Sequence, residues 1–110
     1  MTIQPGELYW LQGDESDLAH PHVVVQVDGH RVTLCALTTN LKRVSLPGNV
    51  LLEAGEGGLS RQSLVEVSKR STVDSAQLGD SIGALSAARV EQILAGIRFV
   101  QASYFRDSGG

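Results

Sequence analysis

The sequence predicts a mainly β domain: a small antiparallel barrel with one α-helix laid on it at the C-terminal end. Three observations predict it. Short alternating or β-branched runs recur through the first 86 positions, separated by turns rich in Gly, Asp and Pro. Asp28-Gly29 stands between two such runs, where a tight hairpin needs a residue that tolerates positive φ. From Ala87 the period changes: Val90, Ile93, Leu94, Ile97 and Val100 recur at three- and four-residue steps, and Tyr104 continues the stripe.

The elements follow in order. Gly6-Glu7-Leu8-Tyr9-Trp10-Leu11-Gln12 alternates and reads as the first strand, with Leu8, Trp10 and Gln12 on one face. Residues 13–19 (GDESDLA) are acidic, with few apolar anchors, and read as a mobile loop. The β-branched run 22–27 is a strand, 28–30 a hairpin turn and 31–37 the returning strand. Residues 38–49 connect, with one short helical turn before Pro47-Gly48. Residues 50–53 are a short strand, 54–62 a Gly-rich loop and 63–69 a strand in which Leu64 and Val67 break alternation. A polar connector over 71–80 leads to a last strand at 81–86. Ser86 is placed to cap a helix over about 87–105, Gly96 marks close packing inside it, and 107–110 is a disordered tail. The whole is one domain, 1–110, of five to seven strands and a helix.

Composition narrows the function. Apolar residues make up 42% and charged residues 19%, an ordinary globular balance. No run approaches the roughly 18 apolar residues of a membrane span, and the N-terminus lacks the basic and apolar regions of a signal peptide. Lone Cys35, inside an apolar run, fits a reducing, cytoplasmic setting and has no neighbour that would activate it. The net charge of −3 counts against a nucleic-acid binder at first. The distribution is different: residues 1–30 hold five acids and no Lys or Arg, whereas Lys42, Arg43, Arg61, Lys69 and Arg70 all fall within 40–75. A groove can be positive on an acidic molecule.

Two stretches carry the candidate chemistry. In His20-Pro21-His22 an extended backbone projects both imidazoles to one side, where a pair can divide acid and base roles near neutral pH. The plainer alternative is that one histidine caps the turn and the other packs beside Trp10 or Tyr9. Thr38, Thr39 and Asn40 end a strand, with Lys42 and Arg43 just beyond, a set that suits gripping a phosphate or simply finishing a strand. The three histidines lack the spacing of a zinc site, so no metal and no cofactor is expected. The Gly-rich loop lacks the GxxxxGK[ST] pattern of a phosphate loop.

Four stretches in series resemble the MazF/PemK (Kid) family of toxin endoribonucleases. GELYWLQ is similar to the family's opening strand, and HPHVVVQ sits where the family has Arg-Pro and a hydrophobic strand. CALTTNLKR is similar to its strand ending in Thr-Ser/Thr-Asn, and RQSLVEVSKRSTVDSAQLGDSIGALS to its Ser-Val strand, Thr-Val-Asp turn and Ile-Gly-x-Leu-Ser. The likeness covers about residues 5–105.

The resemblance implies an SH3-like barrel, a homodimer, and metal-free cleavage of single-stranded RNA by the substrate's own 2′-hydroxyl. It also implies neutralisation by a cognate antitoxin. By position, the family's strand-end Thr is Thr38 and its Arg before Pro is His20, so the chain has an imidazole where relatives have a fixed charge. Where the family has Gln-Ile-Arg before Thr-x-Asp, this chain has Lys69-Arg70-Ser71. His20 and Thr38 are therefore the catalytic candidates. His22, Thr39, Asn40, Lys42, Arg43, Lys69, Arg70 and Ser71 are the further candidates for catalysis or RNA binding. The rival reading is a non-catalytic relative, a plain binding module or a CcdB-like gyrase poison on the same barrel.

Overall fold

The computed structural model describes residues 2–12 and 20–108, and side chains as far as residue 102. The acidic loop 13–19, the side chain of Tyr104 and the terminal glycines lie outside the described residues. Six strands appear: β1 (Glu7–Leu11), β2 (His22–Asp28), β3 (Arg31–Thr38), β4 (Val50–Leu52), β5 (Ser63–Asp74) and β6 (Leu78–Ala84). They form one antiparallel sheet in the order β4-β5-β3-β2-β1-β6, followed by α1 (Ala87–Ser108). The hairpin between β2 and β3 turns on Gly29, at φ 59°.

Two expectations need correction. The stretch 71–80 is not a connector: β5 runs on to Asp74, a short 3-10 turn covers Ser75–Gln77, and β6 starts at Leu78. The outer half of β5 pairs with the buried Cys35, Leu34 and Val32 of β3, but its own side chains are exposed apart from Val73, so it shows no apolar alternation there. Thr33 and Thr72 join hydroxyls across that pair at 3.2 Å. The helix also continues to Ser108, where a disordered tail from residue 107 was expected. No glycine or proline interrupts the chain between Gly96 and Gly109, so nothing there stops it.

Bulges bend the sheet and let both of its faces be buried. In β2, Val24 pairs with Leu34 but Gln26 with Thr33, leaving Val25 unmatched. Val23 and Val25 enter the main core with Leu8, Cys35, Leu37, Val65 and Ile93. Val24 joins a second cluster with Val32, Leu34 and Leu78. In β5 the partner of Cys35 is Arg70 and that of Ala36 is Glu66, so Val67, Ser68 and Lys69 bulge out of the ladder.

Glycines close the molecule at two seams. The turn Glu56–Gly58 packs on β6, where a Cβ on Gly83 would overlap the Gly57 carbonyl. This contact curls the sheet into a barrel and explains the Gly-rich loop without any phosphate. Gly96 of α1 lies against Gly48, and a Cβ on Gly48 would stand 2.8 Å from the Gly96 carbonyl oxygen. That is the close packing the mid-helix glycine predicts. Ser86 caps α1 through its hydroxyl, which accepts the Arg89 N–H at 3.2 Å.

Candidate active site

The β2–β3 ladder positions the site. His22 pairs with Ala36, and the Leu37 N–H donates to the Pro21 carbonyl at 2.9 Å. Continuing that register two residues outward sets His20 across from Thr38. Proline holds the residue before it extended, which keeps His20 in line with the strand.

Two clefts meet at this point. Both are lined by His20, Thr38 and Thr39. One, of about 480 Å³, adds Asn40, Lys42, Arg43, Glu66 and Lys69. Three cations against one carboxylate leave it net positive on a chain of net charge −3. The other, of about 510 Å³, is lined by the apolar Trp10, Pro21, Leu59 and Ile82 together with Arg61, Ser60, Ser63 and Ser81.

Local hydrogen bonds orient the polar groups. The Asn40 N–H donates to the Thr38 hydroxyl oxygen at 3.1 Å, so the hydroxyl proton is left to donate outward. The Asn40 side-chain oxygen accepts the Lys42 N–H at 3.0 Å and caps the 3-10 turn Leu41–Arg43. Asn49 fastens the following loop: it donates to the Arg43 carbonyl and accepts the Val67 N–H, each at 3.1 Å.

Seven of the ten predicted site residues therefore come together: His20, Thr38, Thr39, Asn40, Lys42, Arg43 and Lys69. The other three do not join them. His22 sits inside the sheet between Tyr9 and Ala36 and lines neither cleft. Arg70 and Ser71 lie past the β5 bulge, where the strand has rejoined β3 opposite Cys35 and Leu34. Lys69, inside the bulge, is released toward the groove.

Sequence reasoning missed Glu66, Trp10 and Arg61. Glu66 is only 6% exposed, and its carboxylate meets the Lys69 ammonium at 2.9 Å. Its signal was the broken alternation at Leu64 and Val67, which marks a strand buried on both faces. In the sequence Trp10 reads as a strand residue and a packing neighbour for a histidine, and Arg61 as part of the basic middle of the chain. Cys35 is fully buried, and burial pushes its thiol up to about 11 against a small opposing pull from Arg70. It is an inert core residue.

With the geometry in place, comparison with known proteins is informative. The family described as PemK-like, MazF-like toxin of type II toxin–antitoxin systems matches residues 4–100. Endoribonuclease MazF6 of Mycobacterium tuberculosis and endoribonuclease MazF2 of Mycobacterium bovis are each 29% identical to the chain over 111 residues, covering 91% of it and 97% of each relative. A mycobacterial endoribonuclease solved in complex with its cognate antitoxin superposes with a TM-score of 0.76 at 18% identity, over 92% of this chain and 96% of that one. The M. tuberculosis toxin MazF-mt6 gives 0.68 at 23%, over 86% and 92%. At these identities the two structures speak for the fold. Among the described residues no helix is long and apolar enough to cross a membrane.

Proposed function

The chain belongs to the PemK-like, MazF-like toxin family of type II toxin–antitoxin systems, and on that premise we propose that it is a cytoplasmic endoribonuclease cutting single-stranded RNA at the junction of the two clefts, without a metal ion. One observation supports the reading: His20 and Thr38 line the cationic cleft together, at the end of the β2–β3 ladder. In the proposed reaction the substrate 2′-hydroxyl gives its proton to the His20 imidazole, and its oxygen bonds to the adjacent phosphorus. The P–O5′ bond breaks, the leaving oxygen takes a proton from solvent water, and the products are a 2′,3′-cyclic phosphate and a 5′-hydroxyl. Lys and Arg side chains stay protonated near neutral pH and supply charge, whereas imidazole both takes and gives a proton there. Thr38 donates its hydroxyl proton to a phosphate oxygen, and Lys42, Arg43 and Lys69 hold the anionic chain.

The proposed assembly is a homodimer neutralised by an antitoxin. Val44, Leu46 and Phe99 are large apolar side chains left exposed on the single chain, which supports a partner surface. An acidic antitoxin segment would be drawn to the basic middle of the chain.

The deciding experiment is incubation with a defined single-stranded RNA in EDTA, with both new ends mapped. Cleavage leaving cyclic phosphate and 5′-hydroxyl ends is expected. His20→Ala is expected to lower the rate by about 10²–10⁴, the usual cost of losing a general base. Cleavage by His20→Ala at the wild-type rate overturns the assignment of the base. Cleavage that vanishes in EDTA and returns with a divalent ion overturns the metal-free mechanism.

A further inference from the structure

The residues that line only the second cleft, Trp10, Leu59, Arg61 and Ile82 among them, have no role in the bond-breaking step. We propose that this cleft is a nucleobase subsite, with Trp10 as a stacking platform for the base beside the scissile phosphate; this rests on the ribonuclease reading above.

Strand geometry singles out Trp10. Alternation puts it on the same face as Leu8, which is fully buried in the main core. Two residues further on, Trp10 is past the end of that core and remains 41% exposed. The strand beside it is irregular at this place. Leu8 pairs with Gly83, Tyr9 with Ser81 and Leu11 with Leu78, so β6 carries one extra residue on each side of the Tyr9–Ser81 pair. Bulges of this kind re-aim side chains. The approach is close: a Cβ on Gly79 would lie 2.9 Å from the Trp10 carbonyl oxygen. Trp10, left part-exposed there, lines the cleft.

The chemistry of the walls matches a base. A nucleobase has flat apolar faces and polar edges. Trp10 and Ile82 offer apolar surface, and Arg61, Ser60 and Ser81 offer groups for the edges. Fixed cations are concentrated in the neighbouring cleft, where the backbone phosphates would run. His20 and Thr38 line both clefts, so a nucleotide whose phosphate sits at His20 has its base within reach of Trp10. Stacking on an aromatic tolerates any base and contributes affinity, with edge contacts adding preference.

Trp10 is the sole tryptophan, so its emission reports this cleft alone. Titration with a short mixed-sequence 2′-fluoro RNA, which lacks the nucleophile, is expected to quench that emission to saturation. Absence of quenching at concentrations that saturate binding by anisotropy overturns the proposal. Quenching by an acidic peptide and not by RNA also overturns it and assigns the cleft to a protein partner. In cleavage assays Trp10→Leu is expected to lower kcat/KM about tenfold or more, chiefly through KM, with Trp10→Phe recovering most of the loss. An abasic residue at one position beside the cut is expected to cost the wild type a similar factor and Trp10→Leu nothing further. Losses that multiply instead refute stacking and leave Trp10 a structural residue. Saturable quenching without any RNA cleavage refutes the ribonuclease reading and leaves the base-binding subsite standing.

Discussion

Gly96→Ala sets two physical effects against each other with opposite signs. Gly96 lies inside α1, where alanine is favoured over glycine by about 1 kcal/mol through backbone entropy. Propensity alone therefore raises stability. The structure predicts the reverse. A methyl on Gly96 would overlap the carbonyl oxygen of Gly48, a backbone atom with no rotamer to move to. From the other side, Gly48 is hemmed in by Val100 and Val67, at 2.9 and 3.0 Å from where its own Cβ would be. Either α1 retreats and loosens Ile93 and Ile97 from the core, or the loop carrying Gly48 shifts. Overpacking of this kind costs about 1–3 kcal/mol. With steric cost near the upper end, because the opposing atom is backbone, the net loss is about 1–2 kcal/mol. In a domain of this size that lowers Tm by roughly 4–10 °C. The assay is thermal unfolding by circular dichroism at one fixed protein concentration, since dimerisation would make Tm concentration-dependent. A Tm equal to or above that of the wild type refutes the seam. Because Asn49 ties the same loop to the Arg43 carbonyl and the Val67 N–H, RNA binding is expected to weaken with it.

Three further predictions follow from single contacts. Thr38→Val keeps the shape and removes the donor, and is expected to lower kcat at least tenfold while Thr38→Ser retains most of it; equal activity in Thr38→Val would show that the hydroxyl does not touch the phosphate. The Arg89 guanidinium, at 2.9 Å on both carboxylate oxygens, holds the Glu56 carboxyl below its ordinary value of 4.5. A carboxyl with a depressed folded pKa contributes stability above its ordinary value and loses it as pH falls through the folded value. Glu56→Gln is therefore expected to be about 0.5–1 kcal/mol less stable near pH 7, a gap that narrows below about pH 4.5 in urea titrations; a gap independent of pH would show that charge is not what the pair contributes. Cys35, fully buried with its thiol pushed up to about 11, is expected to resist thiol reagents until the barrel unfolds, as a labelling time course will show.

Much was determined by the sequence alone. The helix from Ala87 was legible because a 3.6-residue stripe and its serine cap are local, and so was the β2–β3 hairpin, which needs only Asp28-Gly29 between β-branched runs. That His20 and Thr38 come to one cleft was legible because the β2–β3 hairpin brings the start of one strand beside the end of the other. What the sequence could not carry is whatever depends on a second strand. The span 71–74 looks like a polar connector because its own side chains stay exposed apart from Val73, although the β3 residues it pairs with include the buried Val32 and Leu34. The bulge that frees Lys69 and returns Arg70 to the ladder exists only against Cys35 and Ala36. Glu66 lines the cationic cleft beside the β5 bulge, and Trp10 lines the other cleft where β6 bulges beside it. The identical alternation that places Leu8 in the core would place Trp10 there too. Only the end of the core, set by how far the sheet and α1 overlap, leaves the indole facing a cleft. Periodicity along one chain records which face a residue takes, and tertiary packing decides what that face meets.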